Sequence, residues 1–186
     1  FVEPMRRHGI DAAYLDYCKQ LVWRATRTAL AGPDELPCVA ACDRALRELE
    51  FYFPIPERAH PTIDAFADDA FEIERGYIKG FIDLLIEVDG RVYFADWKSD
   101  ILPDYADAAL DAHVRERYAM QAVIYALAVV KFLDIHDEKT YEERFGGYLY
   151  LFIRGMGEGG RGVYFRRPDW DDVRAYETQL RDEVAY

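Results

Sequence analysis

A tight turn between two apolar segments constrains the fold of this chain more than any other feature. Asp89 and Gly90 separate residues 84–88 from residues 91–95, and both segments are rich in aliphatic, β-branched and aromatic side chains. An Asp-Gly pair favours the two-residue turns of antiparallel hairpins, because both central residues of such a turn need positive φ. The sequence therefore predicts a β-hairpin, which commits this part of the chain to a sheet.

Further strands are predicted where β-branched and aromatic residues cluster. These strands cover residues 48–55, 71–79, 80–88, 146–154 and 162–165. Aromatic and aliphatic residues alternate over residues 148–153 without a polar side chain, which predicts a strand buried on both faces. Residues 56–70, which contain Pro56 and Pro61, are interpreted as a loop or a short helical insertion.

Four helices are predicted from apolar residues that recur at helical spacing. They cover residues 11–30, 39–46 and 106–132, with a last helix that Pro168 opens toward residue 184. This order of helices and strands indicates an α/β domain with a central mixed β-sheet flanked by helices. We expect one domain over residues 1–186, with a helical part at 1–46 and a core at 47–186.

The chain is acidic, with 23 basic and 35 acidic residues and a net charge of −12. This charge argues against a protein that coats DNA nonspecifically, but it suits a protein that binds divalent cations through carboxylates. No apolar run approaches the roughly 20 residues that span a bilayer, and the N-terminus lacks a signal peptide. We therefore expect a cytoplasmic protein with no membrane partner. Because residue 1 is Phe, we also expect the chain to be part of a longer polypeptide.

Asp83, Asp96 and Lys98 are the residues most suited to chemistry. Asp83 and Asp96 are 13 residues apart (96 − 83) and flank the predicted hairpin, so they can meet across its ladder. Asp96 and Lys98 are two apart on one strand and share a face. Two close carboxylates repel each other unless a cation lies between them, and Mg²⁺ prefers such ligands. Taken alone, the pattern fits solvated residues at strand ends equally well.

Several motifs shift this balance toward a site. They are Gly80-Phe81-Ile82-Asp83, Asp96-Trp97-Lys98-Ser99, Gln121-x-x-x-Tyr125 and residues 50–55, 145–154 and 162–168. Taken in chain order, from about residue 47 to the end, they resemble the RecB-type branch of the PD-(D/E)xK nucleases. The similarity is to the C-terminal nuclease domain of the RecB subunit of exodeoxyribonuclease V.

The resemblance implies a restriction-endonuclease-like fold and a role for each matching residue. Asp83 and Asp96 would ligate Mg²⁺, with Mn²⁺ or Ca²⁺ as substitutes, and the carbonyl of Trp97 would add a ligand. Lys98 would be the catalytic lysine, while Gln121 and Tyr125 would line the site. The family also has a metal-binding His early in the domain, which we expect upstream of residue 1. The surroundings of His8 do not match that motif, so we do not assign it.

The resemblance implies Mg²⁺-dependent hydrolysis of single-stranded DNA that a helicase has unwound. It also implies RecC-type and RecD-type partner subunits and a role in double-strand-break repair and recombination, with the isolated domain monomeric. Two alternatives stay open. One is a catalytically inactive module of the same fold with a structural or DNA-guiding role. The other is an acidic protein-interaction domain, in which Asp83 and Asp96 would lie far apart.

Other candidate features have weaker functional interpretations. The glycine-rich residues 155–162 lack a GK[ST] ending, so we expect a hairpin loop and not a phosphate-binding loop. The cysteines are interpreted as buried reduced thiols. Several arginines could contact the DNA backbone or could equally be solvated. These arginines are Arg115, Arg117, Arg154, Arg161, Arg166 and Arg167.

Overall fold

The computed structural model describes residues 1–32, 36–54, 71–74, 77–157 and 161–182. In that part of the chain, six strands form one sheet. They are β1 (Arg44–Pro54), β2 (Phe71–Glu74), β3 (Tyr77–Val88), β4 (Arg91–Lys98), β5 (Phe145–Phe152) and β6 (Val163–Arg166). They lie in the order β1-β3-β4-β5-β6, and β2 also pairs with β3. Because β4 and β5 are parallel while the other described pairs are antiparallel, the predicted mixed sheet is confirmed.

The predicted hairpin at Asp89 and Gly90 is also confirmed. It joins β3 to β4, and its residues have φ of 49° and 81°, as the tightest hairpin turn requires. The turn sets the register in which Leu84 lies opposite Ala95. The ends of the two strands that carry Asp83 and Asp96 therefore lie at the same end of the hairpin.

Helices cover both faces of the sheet. In the described residues they are α1 (Val2–Arg7), α2 (Leu15–Arg27), α3 (Asp107–Arg117), α4 (Ala119–Phe132), α5 (Glu138–Arg144) and α6 (Trp170–Asp182). One apolar core packs α4 residues such as Val129 with Phe94. The core on the other face packs Ala25 of α2 and Leu36 with Tyr93. All side chains of β5 are buried between these cores, as predicted.

The predicted helix over residues 39–46 is wrong. Val39–Ala41 forms a single 3₁₀ turn, and β1 begins at Arg44. Residues 44–47 pair with residues 84–87 of β3. Pairing with this central strand outweighs the weak helical periodicity of the segment.

The predicted helix over residues 106–132 is interrupted. It forms α3 and α4, which Tyr118 separates with a φ of −123°. The predicted strand over residues 71–79 is likewise divided between β2 and β3. Periodicity did not predict α1 or α5, because helices of six and seven residues are too short to show it.

Other expectations have mixed outcomes. The predicted loop at residues 56–70 lies outside the described residues. The first predicted helix ends at Arg27 and starts with a separate 3₁₀ turn, Ala12–Tyr14. The three cysteines are free and half-buried, not fully buried. Within the described ranges, every helix is too short or too polar to cross a membrane.

Candidate active site

A fork in the sheet separates Asp83 from Asp96. β1 pairs along β3, so β2 and β4 share the opposite edge of that strand. On this edge β2 pairs with residues 77–80, and β4 pairs with residues 84–88. Residues 96–98 of β4 continue alongside β5. The pairing of β3 with β4 therefore ends at Leu84 and Ala95, next to Asp83 and Asp96.

The backbone of β1 and β3 is irregular at this fork. The pairing runs from Arg47 with Leu84 to Leu49 with Ile82, and Glu48 between them has a φ of 52°. Ile82 and Leu85 both belong to the core beneath α4, although residues an odd number apart normally face opposite sides. The alternation of side chains therefore shifts once at Asp83.

Asp83 joins the two arms of the fork. Its Oδ2 accepts a hydrogen bond of 2.8 Å from the backbone N–H of Trp97 on β4. Asp83 is half-buried, whereas Asp96 next to Trp97 is only 5% exposed. The interpretation as an acidic interaction domain predicted these aspartates far apart, whereas Asp83 hydrogen-bonds the residue next to Asp96 and its charge acts on the Asp96 carboxyl, which disfavours that interpretation.

Lys98 lies in a buried polar cluster. Its Nζ is 2.7 Å from Oδ2 of Asp96 and donates a hydrogen bond of 2.7 Å to Oε1 of Gln121. The Nε2 of Gln121 donates to Oδ1 of Asp96 at 3.3 Å. Lys98 and Gln121 are 8% and 7% exposed. The strand carries two members of this cluster and α4 carries the third, so sheet and helix must both be in place.

The charge of Asp96 is poorly stabilised by its surroundings. Burial is the largest cause that raises the pKa of Asp96, the nearby Lys98 ammonium lowers it, the charge of Asp83 raises it, and the net pKa is about 6. A divalent cation near the two carboxylates would offset their repulsion and the loss of solvation. The electrostatics of the fork therefore suit a cation.

Tyr125 contacts the fork through the backbone of β3. Its hydroxyl donates a hydrogen bond of 2.7 Å to the carbonyl of Phe81. Burial raises the pKa of Tyr125, which keeps the hydroxyl protonated as a donor. This bond joins α4 to β3 at a residue just before Asp83. Gln121, one helical turn earlier, reaches Asp96 and Lys98 instead.

Two aromatic rings that the sequence did not single out complete the surroundings of Lys98. Its Nζ lies 4.0 Å from the ring centre of Tyr118 and 4.9 Å from that of Tyr150. Tyr118 sits at the break between α3 and α4, which periodicity did not predict. Tyr150 was predicted only as a buried residue of β5. Its register opposite Asp96 on the parallel strand is a tertiary property.

Most of the arginines considered as DNA contacts are engaged locally. Arg161 lies 2.6 Å from Asp104, Arg167 lies 2.8 Å from Glu142, and Arg115 lies 3.0 Å from Asp111. The Nε of Arg154 donates to the carbonyl of Ser99. The three ion pairs offset positive charge that would otherwise attract phosphates.

The two carboxylates at the fork are of the kind that a magnesium ion prefers as ligands. Among the residues that the structure describes, no group of three or more His, Cys, Asp and Glu side chains could hold a metal. Mg²⁺, however, commonly takes only one or two protein carboxylates and completes its shell with waters and phosphate oxygens. Asp83 and Asp96 meet that requirement. His8 is exposed at the end of α1.

Comparisons with known proteins match this chain to one family of nucleases. The model of a family described as the PD-(D/E)XK nuclease superfamily matches residues 3–185. The RecB subunit of the RecBCD enzyme from Borreliella burgdorferi is 30% identical over 167 residues, which cover 81% of this chain and 13% of that protein. The RecB subunit from Escherichia coli is 34% identical over 148 residues, which cover 66% of this chain and 12% of that protein. The RecB subunit from Haemophilus influenzae is 34% identical over 142 residues, with the same two shares of 66% and 12%. The chain thus spans about an eighth of the length of the curated relatives it matches.

Proposed function

The chain belongs to the PD-(D/E)XK nuclease superfamily, and we propose that it hydrolyses phosphodiester bonds in DNA at the fork between β3 and β4. One observation carries this proposal. Asp96, Lys98 and Gln121 form a buried polar cluster next to Asp83, at the point where the pairing of β3 with β4 ends.

In this proposal, Asp83, Asp96 and the carbonyl of Trp97 hold Mg²⁺, for which Mn²⁺ or Ca²⁺ can substitute. When bound, the metal supplies a water of lowered pKa and offsets negative charge on the reacting phosphate. Asp83 has a second task, because its bond to the Trp97 N–H holds the two arms of the fork together. Asp96 also anchors the ammonium of Lys98.

Lys98 is the catalytic lysine in this proposal. An ammonium carries three N–H donors, and the contacts with Asp96 and Gln121 use two of them. We assign the third to the attacking water or to a phosphate oxygen, where it stabilises negative charge as the new P–O bond forms. Gln121 and Tyr125 are the residues that α4 contributes to the site. Gln121 orients the lysine, and Tyr125 holds the Phe81 backbone before Asp83.

The relatives extend the proposal to a biological setting. They are RecB subunits of the RecBCD enzyme at 30–34% identity. By analogy, the substrate is single-stranded DNA delivered by a helicase motor, and the partners are RecC-type and RecD-type subunits. The role is then cytoplasmic double-strand-break repair and recombination, with products that carry 5′-phosphate ends.

Cleavage of a labelled single-stranded oligonucleotide tests the proposal. We expect wild-type protein to cut with Mg²⁺ or Mn²⁺ and not with EDTA. Asp96→Asn and Lys98→Ala should each lower kcat/KM by about 10²-fold or more, because each removes charge stabilisation at the reacting phosphate. Asp134→Asn and Lys139→Ala are matched controls, since their side chains are 87% and 85% exposed. Equal losses in the controls and the site variants would contradict the site assignment.

A catalytically inactive module is the second candidate. Two observations favour it: the described residues offer no third acidic, His or Cys ligand at the fork, and the chain carries a net charge of −12. This candidate predicts that wild-type protein leaves the oligonucleotide intact at all metal concentrations. Cleavage that both site variants abolish would exclude it.

A further inference from the structure

Tyr118 occupies an unusual position next to the cluster at the fork. It interrupts what would otherwise be one long helix, with φ of −123° and ψ of 6°. Its backbone carbonyl still accepts the N–H of Ala122 at 2.9 Å and the hydroxyl of Tyr150 at 3.3 Å. The break turns the ring toward Lys98, whose Nζ is 4.0 Å from the ring centre. Ammonium groups within about 6 Å of a ring face are attracted to it.

The hydroxyl of Tyr118 is fixed by a carboxylate outside the candidate catalytic set. It donates to Asp100, with Oδ1 and Oδ2 at 2.8 and 2.9 Å. His113 Nε2 lies 2.9 Å from the same Oδ1. Burial raises the pKa of Asp100, but the bonds from His113 and Tyr118 outweigh it and lower the pKa below its usual value. Asp100 is therefore a charged anchor at neutral pH.

The hydrogen bonds of Asp100 with His113 and with Tyr118, here called the clamp, connect three elements around Lys98. Asp100 follows the end of β4 by two residues, His113 lies on α3, and Tyr118 lies at the break before α4. The ring of Tyr118 contacts the ammonium of Lys98, and its hydroxyl contacts Asp100. Asp96 and Gln121 contact the same ammonium. The lysine is thus bounded by two polar partners and by the ring, which leaves Nζ little freedom to move.

We propose that Tyr118 is a positioning residue for Lys98, and that Asp100 and His113 hold its ring in place. This inference rests on the proposed nuclease function, in which Lys98 acts on the substrate. The ring keeps Nζ pointed toward the reacting phosphate, and the clamp keeps the ring over Nζ. Loss of the ring should therefore lower kcat more than it changes KM, since binding of DNA and metal does not use Tyr118.

The experiment compares Tyr118→Leu, Tyr118→Phe and Asp100→Asn with Tyr17→Leu, an exposed tyrosine of α2 that serves as a control. Steady-state cleavage at saturating metal should show a kcat loss of about 10- to 100-fold for Tyr118→Leu, the scale expected when a catalytic group is displaced by about 1 Å. KM should change by less than about threefold. Tyr118→Phe retains the ring and should lose only about three- to tenfold, because only the clamp is released. Asp100→Asn should lose a similar amount. The Tyr118→Phe/Asp100→Asn double variant should lose no more than either single variant, because both break the same contact.

A spectroscopic readout separates positioning from a merely structural role. The ¹H–¹⁵N signal of the Lys98 ammonium, assigned by its loss in Lys98→Ala, should be displaced upfield by the Tyr118 ring. Tyr118→Leu should remove that displacement, and Tyr118→Phe should largely keep it. An unmoved ammonium signal, or a moved signal with unchanged kcat, overturns the positioning role. If wild-type protein does not cut DNA, the proposed function fails, and the positioning role fails with it regardless of the ammonium signal.

Discussion

At the scale of single residues, the candidate site combines side chains on neighbouring strands with contacts that form only where distant elements meet. Asp83, Asp96 and Lys98 could be proposed because strand periodicity and hairpin spacing limit where their side chains point. The bond from the Trp97 N–H to Asp83 could not be predicted, because it depends on where the pairing of β3 with β4 ends. Tyr118 was missed for a similar reason, since its contact with Lys98 exists only where two helices meet. Catalytic roles for these residues stay predictions that the cleavage experiments test.

The buried charge of Asp96 leads to a prediction about stability and pH. Its pKa in the folded domain is about 6, above the value of about 3.9 of an unfolded aspartate. Between these values the folded state binds more protons than the unfolded state, so lowering the pH favours folding. In EDTA, wild type should gain about 1 kcal/mol in free energy of unfolding relative to Asp96→Asn when the pH falls from 7 to 5. Urea denaturation of both proteins at several pH values measures this difference.

The Asp96→Asn protein is the appropriate reference because all other titrating groups are shared. Their contributions cancel in the difference between the two proteins. A difference in free energy of unfolding that stays constant across this pH range would show that burial does not raise the pKa of Asp96. A difference that grows toward pH 7 would mean that Lys98 over-compensates the burial of Asp96.

At the scale of elements, local signals succeeded where one interaction dominates. The hairpin was predicted because Asp89 and Gly90 tolerate positive φ, and β5 was predicted because its apolar run suits burial on both faces. The prediction of a helix at residues 39–46 was wrong because the end of this segment pairs with β3, which is a long-range interaction. The break between α3 and α4 was missed because apolar residues continue through it at helical spacing. The irregularity at Glu48 has no local sequence signal that we recognise.

The start of β5 depends on a glycine for close packing. A Cβ on Gly146 would lie 2.3–2.5 Å from three ring atoms of Tyr93. Tyr93 is 1% exposed and cannot move outward without opening the core that contains Leu36 and Ala25. Gly146→Ala should therefore lower the free energy of unfolding by about 1–3 kcal/mol, as overpacking of a core does. Urea denaturation monitored by tyrosine and tryptophan fluorescence measures the loss.

Gly157→Ala is the matched control for this prediction. A Cβ on Gly157 meets nothing within 4 Å, and its φ lies outside the range in which side chains are strained. We expect it to change the free energy of unfolding by less than about 0.5 kcal/mol. Equal losses for the two alanine variants would contradict contact with Tyr93 as the cause of the effect.

At the scale of the whole molecule, fold class and charge give different information. The α/β class followed from the order of elements, and the resemblance to RecB-type nucleases identified the family that the family model also matches. The net charge of −12 opposes long-range attraction of DNA. Local ion pairs such as Arg161 with Asp104 reduce the positive charge available to phosphates. The domain should therefore depend on delivery of its substrate or on bound cations.

This dependence predicts that kcat/KM does not fall as the salt concentration rises. A nuclease that makes several phosphate contacts loses orders of magnitude in affinity as salt rises, because counterions are released on binding. In an acidic domain, salt instead screens repulsion over a Debye length of about 10 Å at 0.1 M. At fixed saturating Mg²⁺, kcat/KM for a short single-stranded oligonucleotide should stay level or rise between about 20 and 200 mM salt.

Charge variants on α6 make this test specific. Asp171 and Asp172 are exposed in its first turn, and changing both to Asn alters the net charge from −12 to −10 (−12 + 2). This double variant should raise kcat/KM at low salt and converge with wild type at high salt, since screening removes the repulsion that it relieves. The Asp171→Glu/Asp172→Glu protein keeps the charge and should follow wild type throughout. A steep fall of kcat/KM with salt in all three proteins would instead place a basic DNA-binding path near the fork, and the acidic character of the domain would then have no bearing on how it captures DNA.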